Sequence, residues 1–350
     1  MERLEYQEGR TELAEFGEFP LIERLTDGFT PCNKSTVKGV GDDCAVIGTG
    51  DKLTLVTGDM LVEGVNFDMM YTPLLHLGYK AVAIGISDIA AMNGTPRQVL
   101  LNIAVSNRYS VEALEELYAG VRLCCQRYDV DLVGGDLATS RAGMVISVTV
   151  VGEADANRIT YRSGAKLHDL ICVSGDLGSA YSGLLVLERE KVTYKANPDF
   201  KPDLDGYDYV LERYLKPEPR MDIVQFLREK DIVPTSMIDV SDGLASELLH
   251  ICHQSQCGCE VYEERLPIDY QTSRVCSEMS SNMLPVSNAL NGGEDYELLF
   301  TIGQQDYEKI RDSQEVHIIG HITEKGSPAV MVTPQNTTIE LRAQGWQQNG

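Results

Sequence analysis

Positive charge is scarce in this sequence: 30 Lys and Arg stand against 53 Asp and Glu, a formal net charge of −23. A field of that sign repels nucleic acid and anionic membrane surfaces. No Lys/Arg-rich run interleaved with aromatics offsets it, so we expect neither a nucleic-acid nor a membrane partner. Long apolar runs are also missing, and none approaches the length of a bilayer span. The opening text, MERLEYQEGRTELAEFGEF, spreads acids through its length and lacks the pattern of an export signal. Nine cysteines, an odd number in a chain without that pattern, predict reduced thiols in a cytoplasmic protein and not a disulfide framework. Walker A, the Gly-rich loop and HRD segment of protein kinases, and GxGxxG are all absent. The six histidines include no obvious nucleophile–base pair.

What remains is ample for a folded enzyme. With 350 residues and 43% apolar content the chain can bury a large core, and its length favours two domains. Apolar spacing predicts helices over 17–26, 74–92, 111–128 (with Ser110 as N-cap), 178–189, 221–230 and 244–253. Strands are predicted over 37–47, 53–57, 98–105, 131–133, 144–151, 169–173, 236–240, 296–302 and 316–322. Between Lys191 and Pro219 the text lacks periodicity and predicts a long loop holding a short helix. Strands and helices interleave throughout, so the class is α/β or α+β in two lobes, residues 1–155 and 156–350, dividing near Glu153–Arg158. A small recurrence puts Gly-Asp at expected strand ends: Gly41-Asp42, Gly58-Asp59, Gly135-Asp136 and Gly175-Asp176.

The informative acids sit in apolar or glycine-rich text. They are Asp42 and Asp43 in GVGDDCAVI, Asp59 in LVTGDML, Asp88 in AIGISDIAAM, Asp136 in LVGGDLA, and Asp239 and Asp242 in IDVSDGL. Asp88 shares a mostly apolar helix face with Lys80 and Ile84, where an isolated carboxylate is costly. Each acid alone is compatible with a turn residue or an N-cap. If several converge, cations or raised pKa values must relieve their repulsion. Hard oxygen donors without a His/Cys set favour Mg²⁺ or Mn²⁺ over Zn²⁺. Ser241-Asp242-Gly243 opens a helix after a strand, which can aim backbone N–H groups at an anion or serve only as a cap. Arg162, in TYRSGAK, is a cation beside a flexible turn, suited to a phosphate or to solvent. His250, Cys252, His253, Cys257 and Cys259 fit no common zinc spacing and fall mostly on one expected helix, so packing and surface positions are the default there.

In their order, GEF, VGDDCAV, the TGD and EGV segments, LGYKAVAIGISDIAAMNGTP, LVGGD, TYRSGAK, IDVSDGL and NGGEDYELLFT resemble the thiamine-monophosphate kinases, over nearly the whole chain. That family stands in a wider group with aminoimidazole-ribonucleotide synthetase and selenophosphate synthetase. The resemblance implies an N-terminal α+β domain that forms a β-barrel across a homodimer, and a C-terminal α/β domain folded over it. ATP and several Mg²⁺ ions would lie in the cleft, and thiamine monophosphate would be the acceptor. By the same resemblance Asp43, Asp59, Asp88, Asp136, Asp239 and Asp242 are metal ligands, with Asp59, Asp88 and Asp136 central to catalysis. Thr57 and Gly58 stand at further metal contacts, and Gly58 could offer only its main chain. Gly135, Arg162 and Ser241 match nucleotide-phosphate contacts and Tyr118 an adenine neighbour. Asn66, Glu294 and Trp346 fall on the acceptor side. Asn66 replaces the family's usual His, and Gln347-Gln348-Asn349 replaces its usual Asp-His-Phe. The rival readings are another ATP-using enzyme of the wider group, of the phosphoribosyl cyclase or ligase type, and a non-catalytic nucleotide-binding protein.

Overall fold

The computed structural model describes residues 18–199 and 201–343. A first sheet of six strands is built from β1 (Thr36–Lys38), β2 (Ala45–Ile47), β3 (Lys52–Val62), β4 (Thr95–Val105), β5 (Asp131–Thr139) and β6 (Val145–Asp155), in the order β1-β2-β3-β6-β4-β5. β3 and β6 pair antiparallel over their full lengths, from Lys52 opposite Asp155 to Val62 opposite Val145. Only β4 and β5 run parallel in this sheet. A second sheet of seven holds β7 (Leu170–Ser174), β8 (Ser236–Asp239), β9 (Gly258–Tyr262), β10 (Leu298–Ile302), β11 (Val316–Thr323), β12 (Ala329–Val332) and β13 (Thr338–Glu340), in the order β13-β12-β9-β11-β7-β10-β8.

Helix α1 (Glu18–Thr26) precedes the first sheet; Gly17, expected to open it, lies outside the described residues. Helix α2 (Leu74–Ala91) packs on β3, β4 and β6 and also touches β8 of the second sheet, so it is covered on nearly all sides. That explains its composition: a helix apolar all round is a core helix or a membrane span. With 18 residues and mean hydropathy 1.3 it is long and apolar enough to cross a bilayer, which corrects the expectation from run length, but 78% of it is buried inside the protein. Helix α3 (Val111–Tyr128) is amphipathic, burying Leu117, Gly120, Val121, Cys124 and Cys125 at one-face spacing, and Ser110 Oγ accepts from the Ala113 N–H at 3.2 Å as its N-cap. α2 and α3 cross in backbone contact. A Cβ at Gly78 would overlap the Leu117 carbonyl, and one at Gly120 would overlap that of Leu75.

The second sheet is flanked by α4 (Ser179–Ala196), α5 (Asp208–Leu215), α6 (Met221–Glu229), α7 (Leu244–Ser255), α8 (Tyr270–Met279), α9 (Pro285–Asn291) and the single turn α10 (Tyr307–Ile310). The supposed loop after Lys191 is shorter than expected: α4 runs on to Ala196 and α5 occupies most of the remainder. Two Gly-Asp pairs do not end strands. Gly58-Asp59 lies in the middle of β3 and Gly135-Asp136 in the middle of β5. β9, β12, β13, α8 and α9 have no counterpart in the sequence reading. β9 and β12 are only five and four residues long, and β12 is apolar throughout, so neither gives a long period-2 signal.

Candidate active site

The acids converge where the two sheets meet around α2. Asp43 comes from the turn between β1 and β2, Asp88 from the last turn of α2 and Asp239 from the end of β8. One carboxylate oxygen from each lies within 4.8 Å of the other two. Hydroxyl groups orient them: Thr57 Oγ1 donates to Asp88 Oδ2, and Ser87 Oγ donates to Asp239 Oδ2 at 2.6 Å. Arg162 supplies a cation, with Nη2 at 2.6 Å and Nε at 3.1 Å from Asp43 Oδ1. Its backbone N–H donates to Asp42 Oδ1 at 3.1 Å. Even so, Oδ2 of Asp43 and of Asp59 is buried without a hydrogen-bond partner, and Oδ2 of Asp42 has only the Lys38 ammonium, at 3.5 Å. Unpartnered buried acceptors carry a desolvation penalty, so their alignment in one cluster marks a place that wants a cation.

The electrostatics agree. Burial, then repulsion from Asp59, Asp239 and Asp43, pushes Asp88 well above the carboxylate range. Burial and then Asp43 push Asp239 up to about 7, and burial followed by Glu294 pushes Asp59 up to about 6. Asp43 is raised by burial, although Arg162 pulls the other way. The chain of interactions therefore runs from Asp43 and Asp239 through Asp88 and Asp59 to Glu294.

Glu294 sits on a backbone held out of its ordinary range. It has φ 73° and Tyr296 has φ 53°, both left-handed for side-chain-bearing residues. Hydrogen bonds to β8 and its end hold the segment there: Glu294 N–H donates to Ser241 O at 2.7 Å and Tyr296 N–H to Val240 O at 2.8 Å. Glu294 Oε2 takes an ion pair from Lys80 Nζ at 2.6 Å and a hydrogen bond from Tyr296 Oη at 3.3 Å.

Other expected positions are placed differently. Asp136 is exposed on β5, the outermost strand of its sheet, and is not part of the trio. Gly135 has φ 154°, and a Cβ there would overlap the Leu101 carbonyl, so close pairing with β4 requires glycine. Gly58 is exposed, and a Cβ there would meet Val148 O at 3.6 Å, so packing does not demand glycine. Tyr118 lines a cavity of about 380 Å³ with Val121, Arg122, Gln126, Asp129 and Leu132. Asn66 Oδ1 accepts the Val62 N–H at 3.0 Å, tying its side chain into the turn after β3. Asp242 does not present a free backbone N–H, as the anion-binding reading of this helix start supposed. Its N–H donates to Glu247 Oε1 at 2.9 Å, a reach-back from the first turn of α7. Trp346 lies outside the described residues. Among the described residues the His250–Cys259 segment forms no metal-ligand group; Cys252 and Cys259 pack in the core beside the second sheet.

A family model, AIR synthase related protein, N-terminal domain, matches residues 41–154. The thiamine-monophosphate kinase of Bacillus subtilis (strain 168) is 32% identical over 335 residues, covering 94% of this chain and 98% of that protein. The chain belongs to the thiamine-monophosphate kinase family. The thiamine-monophosphate kinase of Escherichia coli (strain K12) is 34% identical over 325 residues, 93% of this chain and 92% of its own. Among solved structures, AaThiL complexed with AMPPCP and TMP superposes with TM-score 0.81 at 29% identity, covering 97% of this chain and 99% of that one. The fold is thus that of the thiamine-monophosphate kinases, mixed α+β sheets in two domains.

Two groups at this candidate site escaped sequence reasoning. Glu247 is almost fully buried, and burial followed by Asp242 holds its carboxyl well above the usual range. Its text, LASELLH, looks like any helix turn, and only the acids upstream in IDVSDG offered a signal. Tyr296 is the other; burial, then Glu294, Asp59, Asp239 and Asp88, raises its hydroxyl well above the tyrosine range.

Proposed function

We propose that this chain transfers the γ-phosphoryl group of ATP to the phosphate of thiamine monophosphate, giving thiamine diphosphate and ADP. The observation that carries this reading is the convergence of Asp43, Asp88 and Asp239 with unpartnered buried oxygens around them, in a chain of this family. The donor set fits magnesium: carboxylates and the Thr57 hydroxyl, all hard oxygens. Bound there, magnesium would neutralise charge between two polyanions.

The chain's own residues do the rest. Asp43, Asp59, Asp88 and Asp239 would hold metal, with Thr57, the Gly58 main chain, Asp136 and Asp242 as further ligands. Arg162, Gly135 and Ser241 would meet the nucleotide phosphates, and Tyr118 the adenine. Asn66, Glu294 and Trp346 would face the acceptor. The attacking phosphate has a second pKa of about 6, so it arrives largely ionised and needs no strong general base. Alignment of donor and acceptor is the task left to the protein, which suits direct in-line transfer. Retention of configuration at a chiral γ-phosphorus would rule that out.

β5 supports a homodimer closed into a barrel through the first sheets: all nine of its residues are exposed, including Leu132, Val133 and Leu137. Such an open, partly apolar edge strand invites a second copy. Light scattering that finds only monomer at micromolar concentration would remove that part. We place the domain division at residues 155/156 and the enzyme in the cytoplasm, the latter open to cell fractionation. The deciding experiment incubates the chain with ATP, magnesium and thiamine monophosphate and follows thiamine diphosphate. ATP consumed only with a phosphoribosyl acceptor, or ATP bound without turnover, would replace the assignment with one of its rivals. Asp59→Asn should abolish turnover while circular dichroism stays native.

A further inference from the structure

Lys80 lies on the same stripe of α2 as Asp88, two turns nearer the N-terminus, about 12 Å along the axis. Its side chain is 3% exposed, and every group it meets is in the second half of the chain. Nζ pairs with Glu294 Oε2 at 2.6 Å, donates to the Tyr214 carbonyl at 3.1 Å and stands 4.2 Å from the centre of the Tyr214 ring. An ammonium so enclosed has no donor turned toward solvent, so it cannot grip a phosphate directly. Its influence on a substrate passes through its partners, Glu294 and Tyr214.

Glu294 is the more open partner, with 24% of its side chain exposed. Lys80 and Tyr296 both occupy Oε2, and among the described residues Oε1 has no hydrogen-bond partner. The carboxylate is thus held through Oε2, in a side chain that keeps part of its surface open. Tyr214, against which Lys80 rests, also places its hydroxyl 3.4 Å from the Asn66 carbonyl, so the same contacts adjoin a second expected acceptor position.

We infer that Lys80 is a positioning residue for the acceptor: it pins Glu294 Oε2 so that Oε1 faces the amino group or the cationic ring of the thiamine portion. This rests on the functional reading above and adds to it a residue and an oxygen atom. An interdomain strut would be expected to act on folding and on both substrates alike. A positioning residue acts on one substrate only.

The test is a cycle of Lys80→Met, Glu294→Gln and the double variant, with each substrate varied at saturating levels of the other. Lys80→Met should raise KM for thiamine monophosphate about tenfold and leave KM for ATP unchanged. The double variant should be no worse than Glu294→Gln alone, because Lys80 acts through that carboxylate. Tyr296→Phe should shift KM for the acceptor in the same direction by a smaller factor. If Lys80→Met fails to fold by circular dichroism, Lys80→Arg, which keeps the charge but changes the contact at Oε2, takes its place in the cycle with Glu294→Gln and is read by the same non-additivity. Multiplying effects in the double variant, or equal changes for both substrates, overturn the inference. A wild-type chain that turns over thiamine monophosphate while Lys80→Met matches it overturns this inference alone. A wild-type chain that makes no thiamine diphosphate overturns the functional reading and this one with it.

Discussion

Two clusters of buried charge, one inside the second half of the molecule and one where the two sheets meet, are built on opposite principles. Around Glu297 in the second sheet, each oxygen of the buried acids Glu297 and Asp295 has a donor. Glu297 accepts from Arg213 at 2.8 Å, from Arg220 at 2.6 Å and from the Ser174 hydroxyl. Arg220 also meets Asp222 at 2.8 Å and Glu315 at 3.1 Å. Neighbouring Asp295 takes the Gly178 N–H at 2.6 Å and the Ala180 N–H at 3.1 Å, capping α4. The unpartnered buried atom in this cluster is a donor, Arg213 Nε. At the cluster around Asp88 the unpartnered atoms are acceptors, and the guanidinium of Arg162 stands against several carboxylates. The first cluster is complete as a piece of protein. The second is complete only with something positive added.

Breaking the matched cluster should have the largest effect. Glu297→Gln turns an amide toward an arginine and should destabilise the chain by about 3–5 kcal/mol in chemical denaturation. A loss below about 1 kcal/mol would rank the cluster with surface pairs. Magnesium at about 100 times its dissociation constant should stabilise the protein by about 2.7 kcal/mol, read as a higher Tm. That gain has a definite pH dependence. Asp59 near 6 and Asp239 near 7 lie above their unfolded value of 3.8, so their burial penalty is fully felt above pH 7 and is relieved as pH falls through 7 and 6. The metal-free Tm should therefore drop on raising pH from about 5.5 to 8, and the magnesium gain should grow, since protons compete for the same oxygens. A gain independent of pH would contradict the unmatched character of this cluster. The smallest effect is the most discriminating: Asp88→Asn should raise the metal-free stability by on the order of 1 kcal/mol while erasing the response to magnesium. If that variant is instead less stable without metal, the carboxylates are not repelling one another.

Much of this contrast was legible in the sequence on one side only. Asp43, Asp88 and Asp239 betray themselves because a charged residue in GDDCAVI, GISDIAA or MIDVSDG is out of place unless something answers it. Glu297 stands in equally apolar text, YELLF, yet its partners Arg213 and Arg220 lie 84 and 77 positions upstream, in a stretch without periodicity. Long-range pairing of that kind leaves no local mark. The same limit hid β9 and β12, whose burial comes from neighbours far along the chain. The long helices were the easy part, since the spacing of Leu117, Val121 and Cys124 is a property of the helix itself.

The reciprocal glycines that let α2 and α3 touch have a consequence for scale. With Gly78 seated on Leu117 and Gly120 on Leu75, α2 and α3 meet backbone to backbone with no side chain between them at those points. The helix then serves as a ruler with two graduations, Lys80 and Asp88, whose separation is a constant of the fold. Any adjustment to a substrate of different length must come from the elements facing the ruler, not from the ruler.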